Sequence, residues 1–504
     1  MTTTSSTSFP KSVYRNQNAI IRAIFERAKT PRKILCVALD YAKNKHVALC
    51  CDGNGDILKK PFPVDNNAGG VDFLCTQIDA TARRRKIGKK NIFLGGEDEP
   101  AYIANFAAAL RGRGYLVVRV SAREAEKNRE NLIASTDDLD LLGIAKTLLS
   151  RRARVIELGA TDGSADAEDS AAAVYRQLRE LSRARRGLVR QQTAASNRIH
   201  ALADQLFPGF LNHSKSGITP FTEASLELMR ERFSAPQIAR RKPTALANFL
   251  RSHRSHHPDE TASKLIDLAR NALPPQAARV PALQKTLAAT VDLHVCLERN
   301  AKSLRIDAAL ELADTPYALA TSIPGIGFVL AAGVAGELGD PALLGNTDSL
   351  CAYSGIVPRV AQSGGPDQPA RHGSTAKRCN RVLKDWVAQS AQKIALYGPP
   401  ELKDRMTRWK VNGQHAVFAG AKRYLRLLRC IVRNEVPYLS PTGRRAGASQ
   451  QESADACRET WKILIAKWRK IPGWREVAFA DDKPIGFWRR VVMDLHGIDL
   501  PFGE

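Results

Sequence analysis

The sequence predicts an α/β domain followed by a mainly helical remainder. Three observations carry that expectation. Short apolar runs separated by turn chemistry crowd residues 34–120. From Ala122 onward the apolar periodicity is helical. A leucine heptad then runs through 178–206.

ILCVALD (34–40) reads as a first strand ending at Asp40. HVALCCD (46–52) follows after a tight turn. DGNGD (52–56) is hairpin chemistry, because Gly and Asn tolerate positive φ, and DILKKPFP (56–63) is the third strand. A helix from about Gly69 to Thr81 comes next, then the basic run ARRRKIGKK (82–90). NIFLGG (91–96) is a short strand, Ala101–Arg111 a helix and YLVVRV (115–120) a further strand. The order βββαβαβα, opened by an antiparallel meander, matches a ribonuclease-H-like layout. A Rossmann domain would open with βαβ and a glycine fingerprint, and neither is present.

Residues 170–207 read as one long amphipathic helix. Leu181, Leu188, Ala195 and Leu202 repeat every seven residues, with Leu178, Ile199 and Leu206 on the adjoining row. This seam suits an interface between protomers, or an intrachain hairpin with a helix at 280–310. Arg176, Arg179, Arg183, Arg186 and Arg190 offer a basic face to a nucleic-acid backbone. FPGF (207–210) ends the helix, and 211–310 is mostly helical. The expected organisation is a basic N-terminal extension at 1–33 and a catalytic α/β domain at 34–155. A helical, coiled-coil region at 156–312, a mainly helical domain at 313–440 and a Trp-rich extension at 441–504 follow.

Composition bounds the function. The chain has 504 residues, enough for about three domains. With 44% hydrophobic and 25% charged residues it is neither a disordered chain nor a disulfide miniprotein. No apolar run reaches about 18 residues, so no membrane partner is expected. The start lacks the apolar core of a secretory signal, and nine scattered cysteines without C-x-x-C suit a reduced cytoplasmic setting. The formal net charge of +25 makes nucleic acid the leading partner.

Two constellations could carry chemistry. Asp40 ends a buried strand, Glu97 follows NIFLGG, and Asp137 and Asp140 share one face of a helix. Four converging carboxylates repel unless a divalent cation neutralises them, and Mg²⁺ (or Mn²⁺) suits such oxygen ligands and a shared phosphate. The second constellation is CAYSGIVPRVAQSGGPDQPARHGSTAKRCNRVLKDW. Here Ser363 precedes two glycines, which allow close approach to a phosphate. Arg359, Arg371, Lys377, Arg378, Arg381 and Lys384 surround it as a basic cradle for a phosphodiester.

These segments carry a resemblance. Asp40 in VALDYAKNKH, Glu97 in GGEDEPAY, and Asp137 with Asp140 in STDDLDLLGIAK resemble the DEDD tetrad of insertion-sequence-110 family transposases. SIPGIG, AYSGIVPR, SGG and KRCN…LKDW resemble that family's C-terminal transposase domain. The chain departs from the pattern in lacking the usual Thr-Gly after Glu97, where Asp98 and Glu99 are rival ligands. It also carries Cys379 where Gly is usual. The resemblance implies a RuvC-like domain, a coiled-coil helix pair and a helical transposase domain. It implies a serine at the position of Ser363 that attacks a DNA phosphate, aided by Mg²⁺ on the four acids. It also implies donor and target DNA, a noncoding bridge RNA, and assembly as dimers or tetramers in a bacterial cytoplasm, acting on the nucleoid. Two other readings remain open: a metal-dependent nuclease or junction resolvase without a serine intermediate, and a non-catalytic nucleic-acid-binding relative.

Lesser features have bland readings. SIPGIG is a phosphate-holding hairpin turn or a packing turn. His253, His256 and His257 form a solvated loop rather than a metal cluster. The Cys457, Trp461, Leu464, Trp468 stripe is expected to be core packing of an extra helical unit, with stacking on unpaired bases as the other reading.

Overall fold

The computed structural model describes residues 18–438, apart from 98–99, 121, 130–136, 152–153, 156–164, 232, 314, 362–370, 376–378, 399–412 and 436–437. The chain divides into two compact units, Met1–Glu168 and Asp169–Glu504.

The first unit is built on a six-stranded sheet: β1 (Leu35–Asp40), β2 (Lys45–Asp52), β3 (Ile57–Asp65), β4 (Ile92–Glu97), β5 (Leu116–Val120) and β6 (Arg154–Val155). The spatial order is β3-β2-β1-β4-β5-β6. β2 runs antiparallel to β1, while β4 and β5 continue parallel to it. This is compatible with the ribonuclease-H-like layout the sequence predicts. The two-residue β6 pairs antiparallel with β5 and was not expected.

Helices cover both faces. α2 (Ala68–Arg85) and α3 (Pro100–Gly112) take one; α1 (Ala19–Ala28) and α5 (Asp137–Leu149) take the other, with the short α4 (Ala122–Lys127) before α5. Leu35, Val37 and Leu39 of β1 point to the first face, and Cys36 and Ala38 to the second. A central parallel strand buried on both sides explains why LCVAL is apolar without alternation. α2 is longer than predicted and absorbs the arginines, ending where Lys86 turns left-handed (φ 53°). α1 is not a free extension: Ile21 and Ile24 are buried in the second core.

The second unit contains α6 (Ala165–Leu206), α7 (His213–Ser216), α8 (Glu223–Arg230), α9 (Ala235–Ala239), α10 (Pro243–Ser252), α11 (Pro258–Asn271) and α12 (Val280–Ala313). α13 (Phe328–Leu338), α14 (Thr347–Ser354), the hairpin β7 (Pro358–Ala361) and β8 (Arg371–Thr375), α15 (Arg381–Tyr397) and α16 (Gly413–Asn434) follow. α6 and α12 lie antiparallel. Ser182 and Arg185 share a small cavity with Arg305 and Ala308, Ser196 Oγ lies 3.2 Å from His294 Nδ1, and Arg279 donates to Gln205 at 3.1 Å. This is the intrachain hairpin with 280–310. One core joins the end of α6 to α8–α11, and another joins its start to α13–α16. The heptad seam is therefore spent at both ends within the chain: Leu178 enters one core, and Ile199, Leu202 and Leu206 the other.

Among the described residues no helix is long and apolar enough to cross a membrane, and the eight described cysteines form no disulfide.

Candidate active site

The strand ends place the first two acids. β1 and β4 are parallel neighbours in the register Leu39↔Gly96, and the next residue of each is Asp40 and Glu97. Both close their strands at the same edge of the sheet, and both are half-buried. The Gly95-Gly96 pair makes this approach feasible. A Cβ at Gly96 would collide with the Leu39 carbonyl and the Tyr41 ring, and one at Gly95 would come within 2.6 Å of Leu148.

The direction of α5 places the other two. Leu148 sits on Gly95, and Leu149 is nearest to Gly55, in the β2–β3 turn at the far end of the sheet. The helix therefore runs away from the carboxylate edge, and its first turn, with Asp137 and Asp140, lies toward Asp40 and Glu97. Gly143 lets α5 press on the Ala125 carbonyl of α4, which brings Arg129 alongside. Arg129 Nε stands 2.5 Å from Asp140 Oδ1, an ion pair without hydrogen-bond alignment. The side chain of Asp137, and Asp98 and Glu99 entirely, lie outside the described residues.

The turn after Asp40 is fixed by His46, which no motif marks. His46 is fully buried, its ring edge-on to Tyr41 and Phe106, and its Nδ1 accepts the Ala42 N–H at 3.1 Å. Burial pushes its pKa down, against hydrogen bonds that pull it up. Its only sequence signal was position: a histidine opening an apolar strand.

Among the described residues no group of three or more His, Cys, Asp or Glu comes together as a metal cluster. The donor chemistry of the edge still fits a hard divalent cation. Every candidate ligand is a carboxylate, and Arg129, 2.5 Å from the buried Asp140 oxygen, would have to yield that oxygen to a metal. Asp40, Glu97, Asp137 and Asp140 are the residues that would hold it.

The second constellation forms a hairpin that the sequence did not predict. β7 and β8 pair antiparallel, with Ala361 opposite Arg371, so residues 362–370 connect them. Ser363, Lys377 and Arg378 lie outside the described residues. Arg359 and Arg371 are placed on the strands by backbone alone. Arg381 and Lys384 stand in the first turn of α15, Arg381 exposed and Lys384 Nζ 5.0 Å from the centre of the Phe418 ring.

The base of this hairpin is clasped. Asn380, just beyond the exit, donates its N–H to the carbonyl of Tyr353, just before the entry, at 3.0 Å. Its Oδ1 caps α15 through Leu383 N–H at 3.0 Å, and its Nδ2 reaches Tyr353 Oη at 3.1 Å and Glu337 Oε2 at 2.6 Å. Glu337, 2% exposed, also takes two hydrogen bonds from Arg183 of α6, at 2.7 and 2.9 Å. Burial alone would raise the Glu337 pKa, but the bonds from Arg183 and Asn380 outweigh it and hold the carboxyl below its usual value. The sequence signal existed: one acid in the apolar run FVLAAGVAGEL, where a buried glutamate needs a partner.

The arginine face of α6 is largely engaged inside the unit. Arg179 donates to the Gly336 carbonyl at 2.8 Å, Arg183 holds Glu337, and Arg186 pairs with Asp385. Gly325 of SIPGIG has φ 93° and packs on α15, where a Cβ would come within 2.6 Å of the Lys393 carbonyl. This turn packs a helix. His256 and His257 are exposed and His253 bonds its own helix at Phe249 O, as a solvated loop would. The Trp-rich tail lies outside the described residues.

Comparison with known families gives two matches. A model of DEDD-type IS110 transposases matches residues 37–208, and a model of the transposase IS116/IS110/IS902 family matches residues 317–407. No curated protein matches the chain. The two matched segments hold the carboxylate edge and the clasped hairpin, and together they span more than half of the sequence. The chain belongs to the IS110 family of transposases.

Proposed function

We propose that the protein cuts and rejoins the DNA of a mobile element through a phosphoserine intermediate at Ser363, assisted by Asp40, Glu97, Asp137 and Asp140. The observation that carries this reading is the meeting of Asp40 and Glu97 at one sheet edge, with the acid-bearing turn of α5 directed to it. On this reading, residues 34–155 and 313–440 are the two catalytic domains, and α6 with α12 is the coiled-coil pair.

The Ser363 Oγ–P bond forms as the P–O bond to one sugar breaks. The hydroxyl proton leaves Oγ for solvent, and the freed sugar oxygen carries away the bonding pair and takes up a proton to become a hydroxyl. Rejoining reverses the step: a sugar hydroxyl attacks the phosphoserine and Oγ departs. A serine hydroxyl is a weak nucleophile at neutral pH and needs activation. The bound Mg²⁺ or Mn²⁺ would supply charge stabilisation at the phosphate. The four carboxylates hold that charge in place. Arg359, Arg371, Lys377, Arg378, Arg381 and Lys384 bind and orient the phosphodiester, and the glycines after Ser363 let backbone approach it. The clasp at Glu337 and Asn380 keeps the hairpin's base closed. By the family resemblance, a noncoding bridge RNA selects donor and target, and catalytic halves come from different protomers of a dimer or tetramer.

Strand exchange on a labelled donor and target tests the reading. Ser363→Ala should abolish exchange while DNA binding stays within about twofold, since one hydroxyl is lost from a large electrostatic interface. Cutting and joining by Ser363→Ala at the normal rate would instead eliminate the serine mechanism and favour the metal-dependent reading.

A further inference from the structure

The first unit has a second charged end. One sheet edge carries the carboxylates; the opposite edge carries the starts of β1 and β4. Four separate segments deliver cations there. Lys33 precedes β1, Arg83, Arg85 and Lys86 end α2, Lys90 precedes β4, and Arg27 comes from α1. All but Lys33 are exposed.

The cluster is tied together through neutral groups. Lys33 Nζ donates to the carbonyls of Arg85 and Lys86 at 3.0 and 3.3 Å. Asn91 donates to the Lys33 carbonyl at 3.2 Å and accepts from Arg27 Nε at 3.1 Å. The nearby acids are committed elsewhere. Glu26 pairs with Arg22 at 3.2 Å, Asp72 with Arg113 at 2.5 Å, and Asp79 accepts the Tyr115 hydroxyl at 2.7 Å. Asp52 is used by the N–H groups of its own turn at 2.8 and 3.0 Å, where Asp56 remains exposed. The end of a helix favours cations in its last turn, which accounts for Arg83 to Lys86. The same preference covers Arg27 in the last turn of α1, but not Lys33 and Lys90, which arrive from other segments. Like charges within a Debye length of about 8–10 Å repel unless an anion lies across them.

We infer that this edge is a docking surface for the phosphate backbone of duplex DNA at a place other than the cut. A strand of six residues at about 3.3 Å each puts roughly 20 Å between the two edges, so a phosphate held here is not the one facing the carboxylates. The side chains are long cations, and the local aromatic, Tyr115, is buried beneath Lys89. That composition grips phosphates rather than stacking on unpaired bases. DNA is the partner that family membership supplies. The surface depends on neither the serine nor the metal.

The test uses the full-length protein and a labelled random-sequence duplex, with binding measured from 50 to 300 mM salt. Arg83→Gln, Arg85→Gln, Lys86→Gln and Lys90→Gln are combined, leaving Arg27 and Lys33 to hold the backbone. Each lost phosphate contact lowers the slope of log affinity against log salt by about 0.9, so a fall of about 2–4 is expected. A slope within 0.5 of the unaltered protein overturns the proposal. So does a loss seen on an RNA duplex and not on DNA. Ser363→Ala should keep the full slope, which separates this test from the fate of the serine mechanism. Lysine acetylation of the unaltered protein is the second measurement: the duplex should slow modification of Lys86 and Lys90 at least threefold, and an unchanged rate overturns the proposal.

Discussion

Both units of this transposase are organised around carboxylates, and they hold them in opposite ways. In the first unit Asp40 and Glu97 close adjacent strands at an edge that solvent reaches, with Asp140 beside Arg129. In the second, Glu337 is sealed in the interior with three hydrogen bonds from Arg183 and Asn380. An acid at a strand end that solvent reaches costs little to place and stays within reach of a ligand. A sealed acid spends its charge on its own neighbours and fixes the elements that bear them. The first arrangement suits chemistry, and the second positions the hairpin that carries Ser363.

The largest effect expected from this contrast is on activity. Asp40→Asn or Glu97→Gln should reduce strand exchange by a factor of about 10²–10³ or more, the scale of losing one electrostatic stabiliser, while thermal stability barely moves. Parallel loss of stability and activity, measured by calorimetry beside the exchange assay, would break the contrast.

Glu337→Ala should do the reverse of an edge variant. It leaves the guanidinium of Arg183 and the amide of Asn380 without their acceptor. Because the Arg183 side chain is 43% exposed, the cost is about 2–3 kcal/mol, below the range for a fully buried pair. Denaturant unfolding would register this, and Glu337→Gln should recover part of it by keeping the bond to Asn380. A wild-type midpoint for Glu337→Ala would show that the clasp is not a stabilising contact.

Gly325→Ala should cost about 1–3 kcal/mol, since the residue has φ 93° and faces the Lys393 carbonyl at 2.6 Å. A neutral result would mean that α15 can shift, and it would restore a ligand role to the SIPGIG turn.

Acid titration separates the units by a smaller effect. His46 has a folded pKa below its ordinary 6.5, so its contribution is full above that value and declines as pH falls toward the folded value. Glu337 is also depressed, and its contribution is full above the ordinary 4.5 and declines below it. Stability should therefore begin to fall below pH 6.5 and fall again below 4.5. His46→Gln should flatten the first step, and Glu337→Gln the second.

Leu188→Glu is the smallest perturbation. Leu202 is already part of an intrachain core, so a charge there would test folding, whereas half-buried Leu188 lies between the two cores. Sedimentation at unchanged mass would remove the middle of α6 from any protomer interface.

Legibility in the sequence divided along the same lines. The meander, the buried parallel strands and the two strand-end acids were readable because period, turn residues and a misplaced carboxylate are local signals. α2 ran beyond its predicted end because arginines are good helix formers and favour a helix's last turn. The β7–β8 hairpin was missed because its strands are short and polar and lie among glycines and basic residues. The seam of α6 was read correctly as apolar, but a heptad does not say whether its partner is another chain or α12. The clasp was invisible for the same reason: Arg183, Glu337 and Asn380 are far apart in sequence, and only folding shows that they meet.

In the proposed mechanism a serine of this transposase becomes covalently joined to DNA. The most direct measurement is to quench the reaction with denaturant in the presence of Mg²⁺ or Mn²⁺, digest protein and DNA, and map the nucleotide-bearing peptide by mass spectrometry. A phosphodiester remnant on Ser363, absent without the divalent cation and absent in Ser363→Ala, is the expected result. Cleaved and rejoined DNA with no nucleotide on any peptide, or a nucleotide on a different residue, would contradict it.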